Sequence, residues 1–155
     1  MLILLIKTVH ILAAVVFLGV GAGVAWTKLR ADRSGDLRVI AWAQAHIVLA
    51  DWLFTVPSAL LLPATGAWLV FTYSLPWTTP WILVGIGGYV LAGVFWLPAV
   101  VLQMRMRDMA AQALAEGTPL PVAFHRASRQ WALLGVPSFA CALATIWAMV
   151  ARWPG

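Results

Sequence analysis

Residues 52–104 read WLFTVPSALLLPATGAWLVFTYSLPWTTPWILVGIGGYVLAGVFWLPAVVLQM, and no Lys, Arg, Asp or Glu interrupts them. A helix crosses about 30 Å of hydrocarbon with ~20 apolar residues, so this run is too long for one crossing. It suits two crossings joined by a loop of about ten residues. The break falls at Thr72–Pro80, where Tyr73-Ser-Leu-Pro-Trp-Thr-Thr-Pro80 supplies turn chemistry. Outward from this run, Thr8 to Thr27 is also free of charge and extends back to Leu2, and Gln130 to Ala151 is a fourth such run. The pattern predicts an all-α protein: a four-transmembrane-helix bundle with spans near residues 2–26, 39–72, 80–104 and 121–151, within one membrane domain of residues 1–155. Lys7 lies inside the first apolar run and no small-residue cleavage site follows it, so this segment reads as a retained helix and not as a signal peptide.

Composition agrees. Apolar residues make up 63% of the chain and charged residues 10%, against about a quarter charged in an ordinary soluble domain. So few charges cannot solvate a globular surface; the apolar exterior must face lipid or other membrane subunits. The net charge of +5 does not mark a nucleic-acid partner, because the basic residues sit at the ends of apolar runs and line no groove. Trp26, Trp77, Trp81 and Trp153 fall near span ends, where indole rings favour the headgroup layer. Cys141 is the only cysteine, which excludes an internal disulfide and a thiolate metal cluster.

Lys and Arg asymmetry sets the orientation. Lys28, Arg30, Arg33 and Arg38 flank one connection; Arg105, Arg107, Arg126 and Arg129 flank another. Only Lys7 and Arg152 lie on the opposite side. The two basic loops are therefore expected in the cytoplasm and both termini outside. Pro57, Pro63, Pro98 and Pro137 fall inside spans, where neighbouring helices can satisfy the carbonyls they free.

Polar residues within the spans are few, and each is informative. Lys7 and His10 are three apart and share a helix face. His10 lies ~10 Å in from the outer boundary by helical rise, where an ionisable side chain is a functional hypothesis. Ligation or proton handling stands against a neutral imidazole donating one hydrogen bond inside the bundle. Counting equal depths brings Thr65 and Gly66, Gly87 and Gly88, and Leu143 to Thr145 to its level. Small residues there leave room for a flat cofactor edge, or equally for close helix packing, as does Gly19-x-x-x-Gly23. His46 and His125 fall roughly 25 Å from His10 in depth, which excludes a haem held between His10 and His46.

Asp51 falls near the inner boundary and heads a polar stripe with Thr55, Ser58 and Thr65 on the second helix. A carboxylate there is costly unless paired. Arg105 and Arg129 match its depth, so a structural ion pair or hydrogen-bonded lock is expected; a proton or ion pathway is the alternative. Ser138, Cys141 and Thr145 make a milder stripe on the fourth helix. No nucleophile–base pair, phosphate loop or metal-spaced cluster is visible in the sequence, which disfavours a hydrolase or nucleotide-driven enzyme.

Three segments together resemble a family of predicted bacterial integral membrane proteins classed as a domain of unknown function. They are Lys7-Thr-Val-His-Ile-Leu12; Leu49-Ala-Asp-Trp-Leu-Phe-Thr-Val-Pro57 with Thr65-Gly66; and Trp96-Leu-Pro98 with Leu102-Gln-Met-Arg-Met-Arg-Asp108. The resemblance covers nearly the whole chain and implies a bacterial inner-membrane location. The first helix alone is similar to the start of haem-containing protoporphyrinogen oxidases and of CopD-type copper-resistance membrane proteins. Carried over, that similarity makes His10 an axial ligand to haem b iron and lets Lys7 meet a propionate. It names no second ligand and does not imply porphyrin oxidation. Three expectations follow: haem-associated redox or tetrapyrrole handling, a non-catalytic accessory subunit of a membrane complex or homo-oligomer, and a small proton or ion conduit at Asp51.

The orientation is tested by reporter fusions. Alkaline phosphatase should be active when fused after Arg152 or within residues 73–79, and inactive after residue 35 or 117; the reverse pattern would invert the assignment.

Overall fold

The computed structural model describes residues 1–152; Trp153, expected at a membrane interface, lies outside the described residues. Four helices follow one another: α1 Leu2–Ser34, α2 Leu37–Thr72, α3 Pro80–Glu116 and α4 Val122–Ala151. Each is long and apolar enough to cross a membrane, and no strand occurs among the described residues. The protein is an all-helical, multi-pass bundle.

The helices run past the sequence-predicted spans. α1 continues from residue 26 to Ser34 and α3 from residue 104 to Glu116. Charge counting measures the width of hydrocarbon, whereas a helix ends where its last carbonyls find other partners. Here glycines end them: Gly35 and Gly117 adopt φ of 67° and 64°, the left-handed conformation that closes a helix without a Cβ clash. Asp36 then caps α2, its side chain accepting from the Arg38 N–H. Pro80 occupies the first turn of α3, where a missing N–H removes no helical bond.

Inside α2, Asp51–Thr55 winds as a π-helical turn, with the Val56 N–H bonded to the Asp51 carbonyl. Pro57 follows directly. Its ring cannot donate to the Leu53 carbonyl and crowds it, and the widened turn accommodates that misfit within a continuous helix. α2, α3 and α4 pass through Pro63, Pro98 and Pro137 without ending.

Packing differs between the two ends. At the basic end a core of small residues draws the helices together: Ala31 on α1, Ala41 and Ala43 on α2, Ala110 on α3 and Ala127 on α4, filled by Met106 and Phe124. Towards the termini the bundle becomes two pairs. α1 stays close to α2, and α3 to α4, but no Cα of residues 56–72 comes within 8 Å of α3 or α4. Side chains bridge the wider gap: the Tyr89 hydroxyl donates to the Ala59 carbonyl, and Phe17 meets Trp96 edge-on at 6.4 Å.

A buried ion pair fastens α1 to α4 at the basic end. Lys28 is only 2% exposed, and its Nζ lies 2.7 Å from Asp32 Oδ2. The Ser128 hydroxyl on α4 donates to the same oxygen at 3.0 Å. The ammonium also sits 5.3 Å from the Phe124 ring centre and 5.7 Å from that of Trp131, so two π faces replace part of the water it has lost. Lys28→Ala should lower unfolding free energy by roughly 2–3 kcal/mol, less than the ~3–5 kcal/mol scale for a fully buried pair because Asp32 is 30% exposed and partly screened by solvent. Arg107→Ala, which breaks the exposed Arg107–Asp108 pair, should change it by less than ~1 kcal/mol. Denaturant melts in detergent, followed by circular dichroism, compare the two.

Candidate functional site

α1 and α2 together hold the His10 imidazole. Thr8 turns its hydroxyl back to the Leu4 carbonyl of its own helix, while His10 faces α2. There its Nδ1 lies 2.8 Å from Thr65 Oγ1. Thr65 has one hydroxyl proton, and its Oγ1 lies 2.5 Å from the Leu61 carbonyl and 3.3 Å from the Leu62 carbonyl of its own helix. With that proton given to its own helix, the hydroxyl accepts from the ring. The Leu62 carbonyl, the other polar group beside the imidazole, can only accept. This arrangement fits a neutral ring that carries its proton on Nδ1 and its lone pair on Nε2.

Gly66 makes this approach possible. A Cβ at that position would stand 3.3 Å from His10 Cε1, tighter than ordinary van der Waals contact, so an added methyl group would press on the ring and shift it by a few tenths of an ångström. The depth count from sequence that brought Thr65 and Gly66 to His10 is matched by these contacts. Gly88 is used differently: a Cβ there would overlap Thr145 Oγ1, so this glycine closes α3 against α4. Around Gly87 nothing lies within 4 Å of an added Cβ. Lys7, one turn outward on the face shared with His10, is exposed.

The polar stripe on α2 faces inward as the spacing predicts. Asp51, Thr55, Ser58 and Thr65 are all buried. Thr55 donates to Asp51 Oδ1 at 2.7 Å, and the Gln103 side chain on α3 interacts with the same carboxylate. Oδ2 nevertheless lacks a full hydrogen bond. Neither Arg105 nor Arg129 pairs with Asp51; both are exposed. The reason is angular. Gln103 and Met106 turn towards α2, and Arg105, two residues from Gln103, stands roughly 200° around the helix from it.

Two buried groups escape a reading based on charge. Gln44, seven residues before Asp51 on the same face, is 0% exposed and both atoms of its amide lack partners. The helical spacing that aligns Asp51 with Ser58 would have included it. Lys28 looks from sequence like a loop cation, and only the extension of α1 to Ser34 reveals it as a core residue. His46 and His125 are exposed; His46 Nδ1 bonds the Trp42 carbonyl at 2.9 Å, and His125 lies edge-on to Phe124. Among the described residues no three His, Cys, Asp or Glu side chains converge as a metal-ion site.

The comparisons with known proteins bear on family alone. A family model described as "Predicted integral membrane protein (DUF2269)" matches residues 4–153. No curated protein and no solved structure matches the chain. A match over nearly every residue, on a chain of four membrane-length helices, places this protein in the DUF2269 family of integral membrane proteins.

Proposed function

We propose that the chain binds b-type haem through His10 Nε2 and acts in redox or tetrapyrrole handling at the bacterial inner membrane. The observation that carries this reading is the Thr65 hydroxyl. By accepting from Nδ1 it supports the arrangement in which a ligating histidine donates its other N–H to a fixed partner, which sets the tautomer and the ring orientation. The donor set also favours haem over a bare ion. A free divalent metal needs several protein ligands, and the described residues gather no such set. Haem brings four nitrogens of its own and asks the protein for axial ligation only.

In this reading His10 supplies the ligand, Thr65 holds the ring in register, and Gly66 lets the ring sit against α2. Lys7, on the same face and nearer the interface, suits a propionate carboxylate. Bound haem would supply one-electron chemistry at iron; the apolar surroundings would set its dielectric.

Protein expressed with haem supply and purified in detergent should show a Soret band that shifts on reduction. His10→Ala should abolish the band while helix content is kept. Thr65→Val, which removes the acceptor for Nδ1–H, should weaken haem retention by on the order of 10–100-fold. A colourless wild-type protein after haem supplementation would end this proposal.

A second reading, a proton conduit, is favoured by Asp51 Oδ2 and the Gln44 amide. Both are buried without full partners on one face of α2, and buried groups of this kind commonly hold water. Proteoliposomes should then show proton flux that falls to background in Asp51→Asn. Membranes that stay proton-tight with the wild-type protein exclude it.

A further inference from the structure

Between α3 and α4, on the basic half of the bundle, two grooves of about 590 and 600 Å³ adjoin each other. Leu102, Arg105 and Gln130 belong to both. The limb nearer the membrane centre is walled by Pro98, Val101, Leu133 and Leu134. The other limb carries Arg105 and Arg126 with a single acid, Asp108. That acid is already held by Arg107, whose Nη2 lies 2.8 Å from its Oδ1. Arg105 and Arg126 are exposed and make no hydrogen bond or ion pair among the described residues.

Physical chemistry restricts what fills such a groove. Its upper limb is apolar and opens towards lipid, so it takes a hydrocarbon chain. Its lower limb holds two unpaired guanidinium groups, Arg105 at the depth of Asp51, where the sequence places the hydrocarbon boundary, and Arg126 about one helical turn outside Arg129 on the cytoplasmic side. The planar donor fork of a guanidinium group matches two oxygens of a phosphate, and basic pockets between helices at the cytoplasmic face select acidic headgroups. We infer that this groove is a binding site for an anionic phospholipid of the cytoplasmic leaflet. One acyl chain lies against Pro98, Val101, Leu133 and Leu134, and the phosphodiester meets Arg105 and Arg126, with Gln130 as a further donor. Phosphatidylcholine carries the same phosphate beside a fixed cation, and that cation meets the two arginines unfavourably. The inference is independent of the haem proposal, since it uses neither His10 nor α2.

The test is lipid retention by the full-length protein in neutral detergent, read by native mass spectrometry. The protein is offered equal phosphatidylglycerol and phosphatidylcholine of matched chains. The wild type should retain phosphatidylglycerol over phosphatidylcholine on the order of tenfold. The Arg105→Ala/Arg126→Ala variant should lose that preference, and the Arg30→Ala/Arg38→Ala variant on the other basic connection, with the same change in net charge, should keep it. Arg105→Gln alone serves if the double variant fails to fold, and should reduce the preference severalfold. Equal retention of the two lipids by the wild type would overturn the inference. So would a preference that survives loss of Arg105 and Arg126, or that glycerol phosphate at equal concentration displaces, since that marks an anion site with no acyl limb. A disulfide-linked dimer formed by Leu133→Cys in a Cys141→Ala background would also overturn it, by assigning the groove to a second copy.

Discussion

Inside hydrocarbon a polar group finds its partner within the protein or finds none. Several inward polar side chains of this bundle meet that constraint through partners of their own. His10 is tied to Thr65, Thr55 to Asp51, Tyr89 to the Ala59 carbonyl and Ser138 to the Ala92 carbonyl. Each bond is modest, about 1 kcal/mol net where both partners are neutral. The larger effect is directional: with water absent, an acceptor whose own proton is committed dictates the protonation of its neighbour. Thr65, bonded to Leu61, stands in this relation to His10.

The same constraint divides the molecule. At the basic end alanines allow backbones to approach closely, and Lys28, Asp32 and Ser128 lock α1 onto α4. Towards the termini larger side chains span between two helix pairs. His10 and Thr65 sit on one pair, beyond the side chains that bridge to the other. The closed end thus holds the bundle together, and the wider end carries His10 and Thr65. Asp51 stands between them, in a π-helical turn of the kind often found at functional sites.

Much of this is legible in the sequence, for identifiable reasons. Four crossings follow from charge-free length, because the hydrocarbon width is fixed. The inward face of Asp51, Thr55, Ser58 and Thr65 follows from helical spacing, and the meeting of His10 with Thr65 and Gly66 follows from equal depth in adjacent antiparallel helices. The partner of Asp51 does not follow. Depth matching gives a level and no azimuth, so it cannot tell Gln103, which faces α2, from Arg105, which faces the groove. Lys28 was hidden because a cation after an apolar run reads as interfacial until the helix is known to continue. Gln44 was hidden because an uncharged amide interrupts no charge-free run.

The central claim is that Thr65 fixes the proton of His10 on Nδ1 and leaves Nε2 free. Nitrogen NMR on cofactor-free protein labelled with ¹⁵N-histidine reads this directly, with the His10 signals assigned by their loss in His10→Gln. At neutral pH the account predicts a protonated Nδ1 and an unprotonated Nε2, with the Nδ1 signal moving in Thr65→Val. A proton found on Nε2, with Nδ1 bare, would contradict it.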